Sequence, residues 1–138
     1  MSKLNNDAHE EFNEDMQWAN SLQTFKRKLT AIDGSLRSLE AGNPHFELAE
    51  MIGRIRIKLT TQVSNLEEIA HIARSHEFTL LLKLQVNSSS AQTFREASRA
   101  KEQNLMKCFE HHFSRFSEEY DSLIKMNSSG SRKSPHEL

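Results

Sequence analysis

Cysteine, proline and glycine are scarce in this chain of 138 residues, and each scarcity excludes a class of protein or a structural feature. Cys108 is the only cysteine, so no disulfide can form within one chain. Two prolines and four glycines leave few places where a helix must break. The composition therefore fits neither a disulfide scaffold nor a Pro/Gly-rich fibrous or disordered protein.

Long apolar runs and a strong net charge are also missing. No apolar run approaches the roughly 20 residues that a membrane-spanning helix needs. The opening stretch MSKLNNDAHEEF is polar and acidic, unlike a secretory signal. A net charge of −1 gives no strong field toward nucleic acid or anionic lipid. We therefore expect a cytoplasmic protein that neither binds nucleic acid nor inserts directly into a membrane.

Two local basic runs are the exception to this even charge. They lie at 26–28 and 54–58, inside segments with helical periodicity. We interpret them as solvated helix faces, because charged residues normally occupy the side of a helix that faces water. A patch that binds a polyanion is the alternative.

What the chain does contain is apolar residues at helical spacing. In the first such segment they recur at alternating gaps of three and four: Leu22, Phe25, Leu29, Ile32, Leu36 and Leu39. This is the a/d stripe of a helix that packs against other helices. Two later segments repeat it, and the third is rich in phenylalanine. The predicted fold class is all-α, an antiparallel up-down bundle of three long helices.

The predicted helices cover about 7–41, 44–84 and 90–126 as one domain. The polar ends at 1–6 and 127–138 have too few apolar residues to pack, so we expect them to be disordered. The run at 78–86 has the composition of a strand. It is nevertheless assigned to the end of the second helix, because a lone strand has no partner here.

Small and polar residues mark the two predicted turns. Gly42 suits the left-handed position after a helix, Asn43 can cap the next helix, and Pro44 fits its first turn. Ser89 with Gln92 three residues later resembles a capping box for the third helix. Short links of this kind bring consecutive helices together antiparallel.

Three residues inside the helices conflict with the pattern. Gln62 and His76 fall near the apolar stripe of the second helix, where a buried polar group needs a partner. Gly34 interrupts the first helix, at a cost of about 1 kcal/mol relative to alanine. We expect Gly34 to be tolerated rather than required for a close contact.

No group of residues has the spacing of a metal or catalytic site. Glu68 and His71 form one Glu-x-x-His pair, but a di-iron bundle needs a second such pair and two more carboxylates. The run at 110–112 has the wrong spacing. Cys108 could reach His111 or His112, yet no oxyanion donors accompany them, and we expect a buried structural thiol. The sequence predicts no enzyme, metal or cofactor.

Additional apolar residues lie beside the main stripes of the second and third helices, and they have two interpretations. Its members are Met51 and Ile72 on the second helix, and Met106, Phe113, Tyr120 and Ile124 on the third. One interpretation is a wide core face, which globular helices often have. The other is a groove between the second and third helices that binds an amphipathic helix of a partner, for which Met-rich aromatic surfaces are suited.

The third helix resembles that of the N-terminal Habc domain of syntaxin-type SNARE proteins. A polar Ser-rich link at 87–91 leads into a progression of large side chains: Leu105, Phe109, Phe113, Phe116 and Tyr120. The segment at 9–12 is similar to the acidic-aromatic opening of the first Habc helix. The resemblance covers about residues 8–126. Syntaxins continue into a SNARE helix and a membrane anchor, and neither is in this sequence.

This resemblance implies a non-catalytic, scaffold-like domain that binds a SNARE-type helix or another protein of vesicle trafficking. Two alternatives stay open. The chain could be a small coiled-coil subunit of a larger assembly of the tethering or kinetochore type, as a homo- or hetero-oligomer. It could also form a metal-binding helical bundle by dimerisation.

Overall fold

Three long helices make up the fold in the computed structural model. They are α1 (Ser2–Ala41), α2 (Phe46–Val86) and α3 (Ser88–Glu137). No strand occurs among residues 2–137, and the run at 78–86 is helical. The predicted all-α three-helix bundle is therefore confirmed, and its observed helix ends at the two turns lie within two residues of the predicted ones.

The structure describes the backbone of residues 2–137 and the side chains of residues 15–128. The helical backbone continues past the predicted bounds at both chain ends. The disorder predicted for 1–6 and 127–138 falls, apart from Asn127 and Ser128, outside the residues with described side chains. It stays a prediction.

The turn between α1 and α2 uses different residues from those predicted. Asn43, and not Gly42, has the positive φ of 52°. His45, and not Asn43, caps α2, because its Nδ1 accepts a hydrogen bond from the Leu48 N–H at 3.2 Å. Asparagine tolerates the left-handed region, and the chain leaves α1 through i−3 hydrogen bonds from Gly42 and Asn43. Pro44 therefore precedes the cap instead of opening the helix.

A single residue, Asn87, joins α2 to α3. Its backbone N–H donates to the Lys83 carbonyl oxygen at 2.8 Å and closes α2. Its side-chain Oδ1 accepts from the N–H groups of Ser89 at 3.0 Å and Ser90 at 3.4 Å, which opens α3. The predicted capping box at Ser89 is therefore wrong, since Asn87 satisfies these donors first.

The core lies along the bundle axis and combines aliphatic residues of α1 and α2 with aromatic residues of α3. Its buried members are Leu29, Ile32, Leu36, Leu48, Ile52, Ile55, Leu59, Leu66, Ile69, Met106, Phe109, Phe113, Phe116 and Leu123. Phe25 of α1 packs edge-on against Phe109 and Phe113 of α3, with ring centroids 5.0 and 5.1 Å apart. The heptad stripes therefore meet as predicted, and aromatic rings fill the middle.

Ion pairs report how the helices run relative to one another. Lys58 pairs with Glu119, and His76 Nδ1 is hydrogen-bonded to Glu102 Oε1 at 2.9 Å, so α2 and α3 are antiparallel. Arg99 of α3 contacts Asp15 of α1 at 2.7 Å, and further along both helices Phe109 contacts Phe25. The contacts therefore advance in the same direction, and α1 and α3 are parallel. Between α1 and α2, Arg56 Nη1 donates to both carboxylate oxygens of Glu40.

The hydrogen bond and the negative charge of Glu40 raise the pKa of the Arg56 guanidinium above its ordinary value. Because arginine is protonated throughout the range in which proteins fold, this raised pKa adds no pH dependence.

Candidate functional site

Two of the six residues predicted to line a groove between α2 and α3 belong to the core, and the other four are half-buried. Met106 and Phe113 are only 6% and 8% exposed and belong to the core. Met51 and Tyr120 pack against that core, while Ile72 and Ile124 are half-buried beside it. Met106 and Phe113 thus fit the wide core face, and the Phe25 ring of α1 packs against the Phe113 ring at 5.1 Å.

An open groove lies instead between α1 and α2. It has a volume of about 630 Å³. Its floor is made by the buried Leu29, Leu59 and Leu66, and the half-buried Leu22 and Val63 form its apolar walls. The leucines that line the groove are seven residues apart on each helix, Leu22 and Leu29 on α1 and Leu59 and Leu66 on α2, which is a periodicity that another helix can pack into.

Small side chains line the groove on both helices. Ala19 of α1 and Ala70 of α2 both line it. Alanine fills little of the space between two helices whose axes lie about 8–10 Å apart. Both alanines are visible in the sequence, but only the structure shows that they line the same groove.

Charges of both signs form the rim of the groove. Lys26 and Asp33 lie on the α1 side, and Glu67 and Arg74 on the α2 side. Asp33 accepts from Arg37 at 3.1 Å one turn along α1. Among the residues with described side chains, Lys26, Glu67 and Arg74 form no ion pair with one another or with other groups. These three charges are therefore available to a partner.

The surface between α1 and α3 is more polar. A second groove there has a volume of about 270 Å³ and is lined largely by charged and amide side chains, among them Asp15, Gln17, Arg99, Glu102 and Gln103. Trp18 and Met106 are its large apolar lining residues, and its volume is less than half that of the α1/α2 groove. The α1/α2 groove is therefore the better candidate for binding a hydrophobic surface.

The environment of Cys108 differs from the prediction. Its thiol is exposed on the outer side of α3 and not buried in the core. The heptad stripe of α3 runs through Leu105, Phe109 and Phe116, which turns position 108 outward. His111 and His112 are also exposed, with ring centroids 5.9 Å apart.

Two further properties concern metals and membranes. Within the described part of the chain, no three His, Cys, Asp or Glu side chains are grouped so that they could hold a metal ion. Over the same residues, no helix combines the length and apolar character required to cross a bilayer.

The chain matches no protein-family model, and no curated protein or solved structure is similar enough to count as a match. The resemblance of α3 to the third helix of Habc domains stays a prediction.

Proposed function

We propose that this protein is a non-catalytic interaction domain whose α1/α2 groove binds an amphipathic helix of a partner protein. The observation that carries the proposal is the open apolar groove with its heptad-spaced leucines. In helix-in-groove recognition the bound helix presents apolar anchors at i, i+3, i+4 and i+7, and such a stripe can pack along leucines that lie seven residues apart. The resemblance to Habc domains adds the finer proposal that the partner acts in vesicle trafficking.

The rim supports a helix over other ligands. A nucleic acid or an anionic membrane is recognised by a surface of one sign, because its phosphates are all negative. This rim alternates between positive and negative groups: Lys26 and Arg74 against Asp33 and Glu67. An amphipathic helix matches such a rim, since its charged flanks can carry both signs beside an apolar stripe.

Site-specific photo-crosslinking tests this function in the cells that make the protein. A photoreactive amino acid replaces Thr60 at the rim of the groove or, as the matched control, the neighbouring Thr61. Both positions are exposed, and successive helix residues point about 100° apart. We expect an adduct with a helical segment of another protein from position 60 and little from position 61.

The variant Ala70→Glu is a second test within the same photo-crosslinking experiment, because it places a carboxylate in the apolar lining of the groove. It should remove the adduct formed at position 60 while circular dichroism shows an intact bundle. Equal labelling at positions 60 and 61, or adducts at position 60 with copies of this chain alone, would contradict the binding of a partner helix.

A further inference from the structure

The α2 side of the groove belongs to a longer stripe that runs beside the core-facing stripe of this helix. The stripe is Thr60, Val63, Glu67, Ala70, Arg74, Phe78 and Leu81, with gaps of three or four. Residues at this spacing share one side of a helix. α2 therefore has a second seam beside the one that faces the core.

The far end of this seam is apolar and exposed. Phe78 is 65% exposed and Leu81 is 61% exposed. Leu82 and Val86, on the adjoining side of the same turns, are 49% and 87% exposed. Single exposed apolar residues are ordinary, as Ile57 is on the same helix, but a cluster over consecutive turns is typical of an interaction surface.

The middle of the seam is self-complementary. Glu67 and Arg74 have opposite charges, lie one heptad apart and point to the same side of α2. When two copies of α2 pack antiparallel about a two-fold axis near Ala70, Glu67 of each copy faces Arg74 of the other. In the same register Phe78 of one copy lies opposite Val63 of the other.

We infer that the chain forms a weak homodimer through this seam, with α2 packed antiparallel against α2 of a second copy. The two Glu67–Arg74 pairs set the register, and the small side chain of Ala70 lets the helices approach at the crossing point. Isologous two-fold contacts of this kind are the commonest arrangement of soluble homo-oligomers.

The area available limits the strength of this contact. The overlap runs from residue 60 to residue 81, or about 32 Å of helix. One stripe of this length presents about 500 Å² per copy, so the dimer buries about 1,000 Å², at the low end of specific interfaces. The dimer is therefore concentration-dependent. It covers the α2 rim of the groove, so a second copy and a partner helix compete for it.

A charge-exchange experiment tests the dimer without any other protein. E67R leaves two positive charges on the seam, and R74E leaves two negative ones. Each variant alone should raise the dimer dissociation constant by at least about tenfold in sedimentation velocity, because like charges then face each other. An equimolar mixture should form heterodimers at wild-type strength, since every pair is again of opposite sign.

The matched control is E68R, which makes the same charge change one residue away and off the seam. Both glutamates are exposed, so circular dichroism should show the wild-type helix content for each variant. A double variant, E67R/R74E, should recover wild-type dimerisation. A wild type that stays monomeric through the concentration series, or a mixture no more associated than its components, would overturn the dimer.

The two-fold axis has a test of its own. In a C108S background, A70C should form an intermolecular disulfide on mild oxidation, because this position faces its own copy at the crossing point. T61C, which lies off the seam, should stay unlinked. Equal linking of both variants would refute the antiparallel register, while the photo-crosslinking outcome for a partner helix would be unaffected.

Discussion

Asn87 shows how much of this bundle depends on single polar side chains. It satisfies the last turn of α2 with its backbone N–H and the first turn of α3 with its side-chain oxygen. The sequence 87–90 offers four consecutive residues that can cap a helix, so periodicity alone could not choose among them. The choice follows from the end of α2, which leaves one residue outside the helical conformation.

Asn87→Ala should lower the free energy of unfolding by about 1 kcal/mol, because the first N–H groups of α3 lose their acceptor. The melting temperature should fall by about 2–4 °C. Asn87→Asp keeps the acceptor and should stay near wild type in urea denaturation followed by circular dichroism. Ser89→Ala is the control, and a loss there without a loss at Asn87→Ala would restore the capping box at Ser89.

At the scale of the helix, hydrophobic periodicity predicts the fold well, because a long helix with one apolar stripe buries it by packing that stripe against other helices. The three helices, their order and most of their core positions follow from gaps of three and four. The glycines inside these helices also behave as predicted for Gly34. A Cβ atom added at Gly34 or at Gly53 meets no atom within 4 Å. Neither glycine is therefore required for a close contact between helices.

The double variant Gly34→Ala/Gly53→Ala should raise the stability of the bundle by about 1.5–2 kcal/mol, since alanine costs less backbone entropy in a helix than glycine. Thermal and urea denaturation measure this directly. Gly42→Ala is a useful comparison, because Gly42 lies in the turn outside α1. No gain from either helical substitution would mean that these glycines have a role that the open space around them does not show.

At the scale of the whole molecule, the sequence could not locate the groove. Met106 and Phe113 look the same in a helical pattern whether they line a surface or a core. For Phe113 the difference depends on where α1 lies, because the Phe25 ring of α1 packs against the Phe113 ring. The sequence also does not distinguish Glu67 and Arg74 from a solvated face, because charged residues at helical spacing normally indicate one.

Two phenylalanines test the assignment of Phe113 to the core and of Phe78 to the exposed side of α2. Phe113→Ala should cost about 3–5 kcal/mol of stability, because it empties a site in the aromatic core. Phe78→Ala should change stability by no more than about 0.5 kcal/mol, since the side chain is 65% exposed. Denaturant titration of both variants measures the contrast. Similar losses at the two positions would mean that α2 is buried on the side that the seam occupies.

The one-residue connection between α2 and α3 also has a kinetic consequence. The contacts next to this connection join residues that are near in sequence, which speeds folding, and α2 packs more extensively against α3 than against α1. The α2–α3 hairpin should therefore form first, and α1 should join it afterwards through the longer turn. Because α1 supplies one side of the groove, the surface that we propose to bind a partner helix would form only once α1 has docked, and it would be lost first if α1 undocks under stress.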